Sequence, residues 1–468
     1  MEESSPSVSG PPAAMPRRDF LKSGLAGAGA AMLLRPHLDA LVRANQRTRT
    51  TRASKTELLV WYWGQQEAPG MQSFMEKAVA RYNAQQSRVS VTAVLQSSDT
   101  LYSAFAAAAE AGKGPDVQYL WGGTQALIDV WLGYCAPLSD FIDSAWLKNI
   151  PTGSLSETNW GGKQWGLPFY QIPTALPYNK KLFTKAGLNP EVPPTTWDEF
   201  ITALTKLKKI GVTPIGAGFK DQYLGGWLVS YFGQQNFNST AQAIAPFKSA
   251  GVKYSGRVYT EWVTRLQDLI KGGYFNNDVL SINLYQGQNL FPTKKAAIVT
   301  SVQPQITGFY RTMGGASTVG VMRAPAFGTG KFADCFGAPA QVLLLTKFSS
   351  HKKEGAAFLE FLHTEDMMRL MYAQSGAICP DNRFDPAWLN TDTDKTMWAW
   401  QRTVPNFWYQ YYYPFQFEEN GVDPGLEQLW LPSGTVESAV STMQGAIDKW
   451  RLQSPAQAQA YGSWKLLS

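Results

Sequence analysis

Apolar residues in the first part of the chain recur with two spacings that alternate along the sequence. The run TELLVWYW (56–63) is short, apolar and rich in aromatic residues, which is typical of a buried strand. In MQSFMEKAVARYNAQ (71–85), apolar residues recur at four-residue spacing, as on one face of a helix. The same alternation continues through RVSVTAVL, TLYSAFAAAAEAG, PDVQYL and TQALIDVWLGY. Strands that alternate with helices predict a doubly wound α/β domain with a largely parallel sheet.

A proline-rich ribbon follows this first domain. WGLPFYQIP (165–173) should be stiff and extended, because proline fixes its own φ and restricts the preceding residue. In PPTTWDEF (193–200), Thr196 as N-cap and Glu199 three residues later form a capping box that should start a helix. We therefore expect a second α/β domain to begin here. Its later part is mostly helical, around the aromatic segment NFWYQYYYPFQF (406–417).

The positive charge of the chain is concentrated at its N-terminus. The formal net charge is +6, and residues 1–55 hold nine Lys/Arg and four Asp/Glu. The remaining residues hold 33 basic and 32 acidic groups, which leaves no excess to neutralise phosphates. The composition therefore disfavours a nucleic-acid-binding protein.

The N-terminal basic residues precede a short apolar run, as in an export signal. The order of Arg17, Arg18, Phe20, Leu21 and Lys22 resembles the twin-arginine motif, and the run behind it is too short to span a bilayer. We expect an exported protein, periplasmic or extracellular. In an oxidising compartment its three cysteines could form one disulfide, although buried free thiols are the expected state.

Several motifs occur in the order typical of the family-1 extracellular solute-binding proteins of ABC sugar importers, the family of the maltose-binding protein. The segment 161–200 resembles that family most specifically, and KKAAIVTSV (294–302) and KKEGAAFLEFLHTEDMMRLMYAQSGAICP (352–380) follow in order. The resemblance implies two doubly wound α/β lobes joined by a multi-segment hinge, the class II periplasmic-binding-protein-like fold, with a helical C-terminal extension. The implied divisions are an export signal and basic linker at 1–55, lobe I at 56–167 plus 304–347, lobe II at 168–303 plus 348–468, and hinge segments at 167–171, 298–303 and 347–351.

The resemblance also implies a function. Members capture a ligand between the lobes by hinge closure and deliver it to the permease subunits of an ABC importer. We therefore expect a monomeric, non-catalytic receptor for a sugar or small oligosaccharide, with no cofactor.

Candidate ligand-binding residues lie where predicted strands end and at the hinges. Ligands of open α/β sheets bind beyond the carboxyl ends of strands, and sugars need aromatic planes edged by polar groups. The candidates are Trp63, Gln65, Gln66, Trp121, Thr124, Gln125, Tyr170, Gln171, Tyr223, Trp227 and, from the resemblance, Gln303. At Gln303 the maltose-binding protein has a stacking Trp, and Gln65 replaces an acidic residue, so a carbohydrate other than maltodextrin is expected.

Several of these residues have a structural alternative. Trp63 and Trp227 could equally pack in the core, and the amides of Gln65, Gln125 and Gln303 could lie on the surface. The aromatic segment 406–417 is expected mainly to pack, and it could also close one side of the cleft.

An exported carbohydrate-active enzyme, a hydrolase or lyase, is the alternative function. Glycosidases need two carboxyl groups about 5–9.5 Å apart, and Glu67 is the only acidic residue in the cleft loops. With only His37, His351 and His363, the chain offers no His-based triad and no zinc cluster. A metal or polyamine binder would need Tyr/His or acidic clusters, so the Gln and Trp residues favour a neutral ligand.

Overall fold

A computed structural model describes residues 55–465, and the twin-arginine motif lies outside these described residues. In the described part, no helix has the length and apolar character that crossing a membrane requires. The strands are β1 (Thr56–Tyr62), β2 (Val89–Leu95), β3 (Val117–Trp121), β4 (Cys135–Ala136), β5 (Asn159–Trp160), β6 (Lys163–Gln164), β7 (Gly166–Gln171), β8 (Thr174–Asn179), β9 (Thr213–Gly216), β10 (Ala296–Val299), β11 (Ser301–Val302), β12 (Val319–Met322) and β13 (Ala340–Thr346).

The strands form two main sheets, one in each lobe. The first sheet has the order β2-β1-β3-β13-β4, and β7 also pairs with β13. Strand β1 is parallel to β2 and β3, as the strand–helix alternation predicts, whereas β13 is antiparallel to its three partners. The second sheet has the order β11-β8-β10-β9, with β12 also paired to β8. Both lobes are therefore α/β.

Helices cover the sheets and build the C-terminal region. Thr196 and Glu199 form the predicted capping box, in which each side chain accepts a hydrogen bond from the other residue's backbone N–H. The α-helices are Met71–Gln85, Leu101–Glu110, Thr124–Trp131, Ser144–Leu147, Thr152–Ser156, Lys180–Lys185, Trp197–Lys209, Leu224–Leu228, Thr240–Lys248, Arg257–Lys271, Leu284–Gln288, Gln303–Met313, Lys352–Leu362, Glu365–Ser375, Asp392–Thr403, Phe415–Phe417, Asp423–Leu429, Val436–Gln453 and Pro455–Ser463.

The chain crosses between the sheets at places that differ from the expected hinge segments. Residues 167–171 lie within β7 of the first sheet, so the crossing to β8 is at Ile172 and Pro173. Residues 298–303 stay with the second sheet, and the return crossing is the segment 323–339 between β12 and β13. Residues 347–351 lead into a helix that packs on β13 rather than into the second lobe.

Two segments therefore belong to the opposite lobe from the one expected. Strand β12, placed in lobe I by the 304–347 boundary, pairs with β8 of the second sheet. Helices Lys352–Leu362 and Glu365–Ser375, placed in lobe II by the 348–468 boundary, pack against β13 and helix Met71–Gln85 of the first lobe. An amphipathic pattern shows that one face of a helix is buried, but it does not identify the sheet against which that face packs.

The aromatic segment 406–417 is largely buried, as expected. Phe407 stacks on Phe332 with ring centroids 4.4 Å apart, and the Tyr409 hydroxyl donates to the Ala243 carbonyl at 2.8 Å. The aromatic segment thus anchors the C-terminal region on the second lobe.

The three cysteines are free thiols: Cys135 and Cys379 are buried and Cys335 is partly buried.

Candidate functional site

A cavity lies between the two lobes, beyond the ends of β1 and β3. The empty space in it, counted with the open solvent at its mouth, is about 580 Å³. The first lobe contributes Trp63, Glu67, Ser98, Tyr102, Trp121, Gln125 and the crossing residue Ile172, the second lobe contributes Tyr223, Trp227, Leu284 and Tyr285, and the C-terminal region contributes Gln410, Tyr411, Phe415 and Glu418.

Aromatic rings form a continuous wall on one side of the cavity. Trp121 stacks on Tyr102 with centroids 5.2 Å apart, and Tyr102 stacks in turn on Phe415 at 5.7 Å. Trp63 contacts Trp121 at 5.2 Å with the ring planes tilted. Such a wall offers apolar planes while Gln125, Gln410 and Ser98 offer polar groups.

Five of the eleven predicted ligand-binding residues line this cavity. They are Trp63 after β1, Trp121 at the end of β3, Gln125 in helix Thr124–Trp131, and Tyr223 and Trp227 at helix Leu224–Leu228. Trp63 and Trp227 are also buried, so each of these two residues both packs in the core and borders the cavity. Their binding role remains a prediction that their position favours.

Three predicted residues in the first lobe support the site from outside the cavity wall. The Gln65 side chain accepts hydrogen bonds from the backbone N–H groups of Gly70 and Gln72, at the start of helix Met71–Gln85. The Gln66 side chain accepts a hydrogen bond from Ser98 at 3.3 Å. The Thr124 hydroxyl donates to the Tyr413 carbonyl at 2.5 Å and so holds the aromatic segment against the first lobe.

The other three predicted residues lie buried at or near the lobe crossings. The Gln171 amide donates to the Ser154 hydroxyl at 3.3 Å. The Gln303 amide donates to Thr307, to the Gly376 carbonyl and to Asp394. Tyr170 is fully buried behind the cavity. The Gln171 and Gln303 amides thus donate to neighbouring buried groups, although the Gln303 Oε1 atom has no partner among the described residues. Their sequence positions do not distinguish this structural role from ligand binding.

Gly122 and Gly123 allow the aromatic segment to approach the end of β3. Gly123 has φ +63° and ψ −143°, a conformation that favours glycine, and a Cβ there would lie 2.1 Å from the Tyr411 carbonyl oxygen. The Tyr411 hydroxyl donates to Gln341 at 2.9 Å, and Gln341 donates to Glu67 at 2.9 Å. The paired glycines therefore permit a close contact that places Tyr411 in the cavity wall.

Glu67 lies at the centre of a buried hydrogen-bond network. Its Oε2 accepts hydrogen bonds from the Tyr170 hydroxyl at 2.8 Å and from Gln341. Burial raises the pKa of Glu67 to about 7, although both hydrogen bonds act in the opposite direction. At neutral pH this carboxyl is therefore close to the midpoint between its charged and neutral forms.

The raised pKa of Glu67 predicts that the unliganded protein loses stability as the pH rises. The folded state holds the proton up to a pKa of about 7 and the unfolded state only to 4.5, so the loss falls between these values. We expect Glu67→Gln to remove most of this loss, which amounts to at most about 3 kcal/mol. Urea unfolding across this pH range, with Glu191→Gln at an exposed carboxylate as control, measures it. An unchanged pH dependence in Glu67→Gln would contradict the assignment.

The sequence analysis missed most of the second half of the cavity wall. Tyr285 and Leu284 lie on a one-turn helix, and Gln410, Phe415 and Glu418 lie in or beside the aromatic segment. The density of aromatic residues in 406–417 was the available signal, and it was interpreted mainly as packing. Among the described residues, no group of three His, Cys, Asp or Glu side chains is arranged to hold a metal ion.

A family model described as "Bacterial extracellular solute-binding protein" matches residues 64–369. A binding protein of Brucella abortus (strain 2308) is 26% identical over 274 residues, which is 58% of this chain and 64% of the relative. The sn-glycerol-3-phosphate-binding periplasmic protein UgpB of Yersinia pestis is 26% identical over 175 residues, 35% of this chain and 38% of the relative. The matches thus span less than two thirds of these relatives.

Solved structures share the fold at low sequence identity. A chitin oligosaccharide binding protein superposes with a TM-score of 0.73 and 22% identity, over 84% of this chain and 98% of that one. The GacH receptor of Streptomyces glaucescens, solved unliganded and with acarbose, superposes with a TM-score of 0.69 and 18% identity, over 88% and 100%. The predicted class II periplasmic-binding-protein fold is confirmed.

Proposed function

The chain belongs to the bacterial extracellular solute-binding proteins, and we propose that it captures a sugar or small oligosaccharide between its lobes and delivers it to an ABC importer. The family consists of binding proteins and not enzymes, in agreement with the non-catalytic function predicted from the sequence. The observation that carries the proposal is the aromatic wall of the interlobe cavity, formed by Trp63, Trp121, Tyr102 and Phe415.

The cavity chemistry favours a carbohydrate over an anionic solute. Aromatic planes match the C–H faces of a sugar ring, and the amides of Gln125 and Gln410 can pair with hydroxyl groups. UgpB is named for a phosphate ester, but the described residues that line the cavity include no Lys, Arg or His and do include Glu67 and Glu418. An isolated phosphate would lack the cationic partners that phosphate sites use.

A thermal-shift screen tests the proposal. A ligand that binds only the folded state raises stability by about 2.7 kcal/mol at a hundredfold excess over Kd. We expect at least one member of a panel of mono- and oligosaccharides to raise the melting temperature. If glycerol phosphates, peptides or metal ions raise it and no saccharide does, the proposed ligand class is wrong. Release of reducing ends from a glycan by the purified protein would instead favour the enzyme alternative.

We propose that the lobes close around the ligand by rotation at the crossings between them. The crossing from β7 to β8 is short and contains Pro173, whose carbonyl accepts a hydrogen bond from the Gln303 N–H at 2.7 Å. Rigid lobes joined by short crossings can rotate without unfolding, which is the hinge mode of domain closure. Each lobe supplies part of the cavity wall, so closure would complete the site in a monomer.

Export by the twin-arginine route is also a proposal, supported by Arg17 and Arg18 in the sequence. We expect replacement of both arginines by lysine to leave the precursor in the cytoplasm, because the motif specifies paired guanidinium groups and lysine keeps only the charge. Cell fractionation with immunoblotting measures this, with Lys22→Arg as a control that preserves the pair. Normal export of the double-lysine variant would rule out this route without affecting the binding function.

A further inference from the structure

The nearly neutral charge of residues 56–468 is distributed unevenly over the fold. Four segments of the second lobe, 180–191, 206–213, 268–274 and 290–296, hold nine lysines and two acidic residues, a net charge of +7. All nine lysines are exposed except Lys180, which is partly buried. We call these nine residues the lysine patch: Lys180, Lys181, Lys185, Lys206, Lys208, Lys209, Lys271, Lys294 and Lys295.

The second sheet brings the segments of the lysine patch to one of its ends. Tyr178 of β8 lies opposite Ile298 of β10 in an antiparallel pair, so β8 ends beside the start of β10. Strand β10 starts level with β9, because Ala296 pairs with Thr213 in a parallel register. Neighbouring strands lie about 4.8 Å apart, so these three strand ends span only about 10 Å.

Two lysine side chains connect the helical segments at this end of the sheet. The Lys206 ammonium group donates to the Gly187 carbonyl at 3.5 Å and so connects the second segment to the first. The Lys208 ammonium group donates to the Gly272 carbonyl at 2.8 Å and connects the second segment to the third. The four segments, which are far apart along the chain, therefore meet on one surface.

The lysine patch lies at the end of the second sheet that faces away from the cavity. Strand β9 starts at the patch with Thr213 and ends at Gly216, and the chain beyond it carries the cavity residues Tyr223 and Trp227. A partner that binds the patch therefore does not contact these cavity residues.

Most of the positive charge of the patch is not neutralised by described residues. Lys180 forms an ion pair with Glu191 at 2.7 Å, and the other eight lysines form none within the part of the chain that the structure describes. The helices Lys180–Lys185, Trp197–Lys209 and Arg257–Lys271 end here, and a helix C-terminus favours lysine. Each C-terminus carries about half a negative elementary charge, so the three together offset only about one and a half of the positive charges.

We propose that the lysine patch binds the anionic headgroups of a lipid bilayer and so holds the protein at the membrane surface with its cavity free. A binding protein that delivers its ligand to an importer works beside a membrane. Each lysine near an anionic membrane surface increases the partition coefficient about fivefold. This inference goes beyond the proposed function and is tested separately from sugar binding.

The residue type in the patch favours a surface of many phosphates over a single bound phosphate. All of its basic residues are lysines, and the four segments contain no arginine. Lysine is a flexible point charge that can pair with phosphates at varied positions, whereas the planar fork of arginine is suited to one phosphate of fixed geometry. The headgroups of a bilayer present such a laterally mobile array.

Sedimentation of the full mature protein with lipid vesicles tests the proposal. We expect binding to phosphatidylcholine vesicles that contain phosphatidylglycerol and no binding to vesicles of phosphatidylcholine alone. An increase of the ionic strength from about 0.1 M to about 1 M shortens the Debye length from about 10 Å to about 3 Å and should release the protein. Equal binding to both kinds of vesicle would contradict an electrostatic membrane contact.

Two fourfold lysine-to-glutamine variants separate the position of the charge from its amount. The first variant changes four patch residues: Lys181, Lys185, Lys294 and Lys295. The second variant changes four exposed lysines that lie elsewhere on the surface: Lys113, Lys148, Lys353 and Lys395. Both variants lose the same net charge, but the first should reduce the partition coefficient at least about tenfold and the second much less.

The outcomes distinguish the membrane contact from the proposed function. Both variants should keep the melting temperature of the native protein and its increase with the identified sugar, because the substituted residues are exposed and lie outside the described cavity wall. Equal losses of vesicle binding in the two variants, or no binding of the native protein to anionic vesicles, would overturn the proposal. Binding of soluble polyglutamate without binding to vesicles would overturn it in favour of an acidic protein partner.

Discussion

Replacement of Trp121 by alanine should weaken the binding of the sugar about thirtyfold. Trp121 is only partly buried in the unliganded protein, lines the cavity, and connects the rings of Trp63 and Tyr102. Truncation of an aromatic anchor costs about 2 kcal/mol or more of binding free energy, and each 1.4 kcal/mol is a factor of ten. Titration calorimetry with the sugar identified by thermal shift measures this loss.

Thermal unfolding of the same variant distinguishes a binding role from a core role. A buried Trp such as Trp262 should lose about 3–5 kcal/mol of stability on truncation, and Trp121→Ala should lose less. Trp388→Ala is the matched control for affinity, because Trp388 is also partly buried but packs on Phe384 and does not line the cavity. If Trp121→Ala unfolds the protein while its residual folded fraction keeps full affinity, the residue belongs to the core.

Replacement of Gly123 by alanine should both destabilise the fold and weaken ligand binding. The added Cβ would overlap the Tyr411 backbone, which must then move away from the end of β3 and take part of the cavity wall with it. Overlaps of this kind cost about 1–3 kcal/mol, and the sparsely populated backbone conformation at positive φ adds about 1–3 kcal/mol for a residue with a side chain. Chemical denaturation and calorimetry on one preparation measure both effects.

Gly112 provides a matched control for this prediction. Its φ is +60°, close to the value at Gly123, but a Cβ there would have no neighbouring atom within 4 Å. Gly112→Ala should therefore show the backbone effect alone, with unchanged ligand affinity. Equal destabilisation in the two variants would mean that contact with the aromatic segment does not determine the conformation of this loop.

The sequence predicted the elements of the fold well because their signals are local. The helix Met71–Gln85 and the capping box at Thr196 follow from spacing and from side chains three residues apart. Strand β12 and helices Lys352–Leu362 and Glu365–Ser375 pack in the lobe opposite to the one predicted, because an apolar face does not specify the sheet against which it packs.

The site was predicted where a strand end fixes the position of a side chain, as at Trp63 and Trp121. Residues at the lobe crossings, such as Gln303, do not line the cavity, because buried amides there pair with neighbours that are distant in sequence, and their ligand-binding role stays a prediction. Glu418 and Phe415 reach the cavity only through the packing of the C-terminal region on both lobes. Contacts of that range leave no periodic signal in a single sequence.

A crystal structure of the mature protein with the sugar identified by thermal shift tests the central claim most directly. The account predicts electron density for the sugar in the interlobe cavity, with a ring face against Trp121 and polar contacts to Gln125 or Gln410. Density for the sugar at another surface, with this cavity occupied only by water, would contradict it.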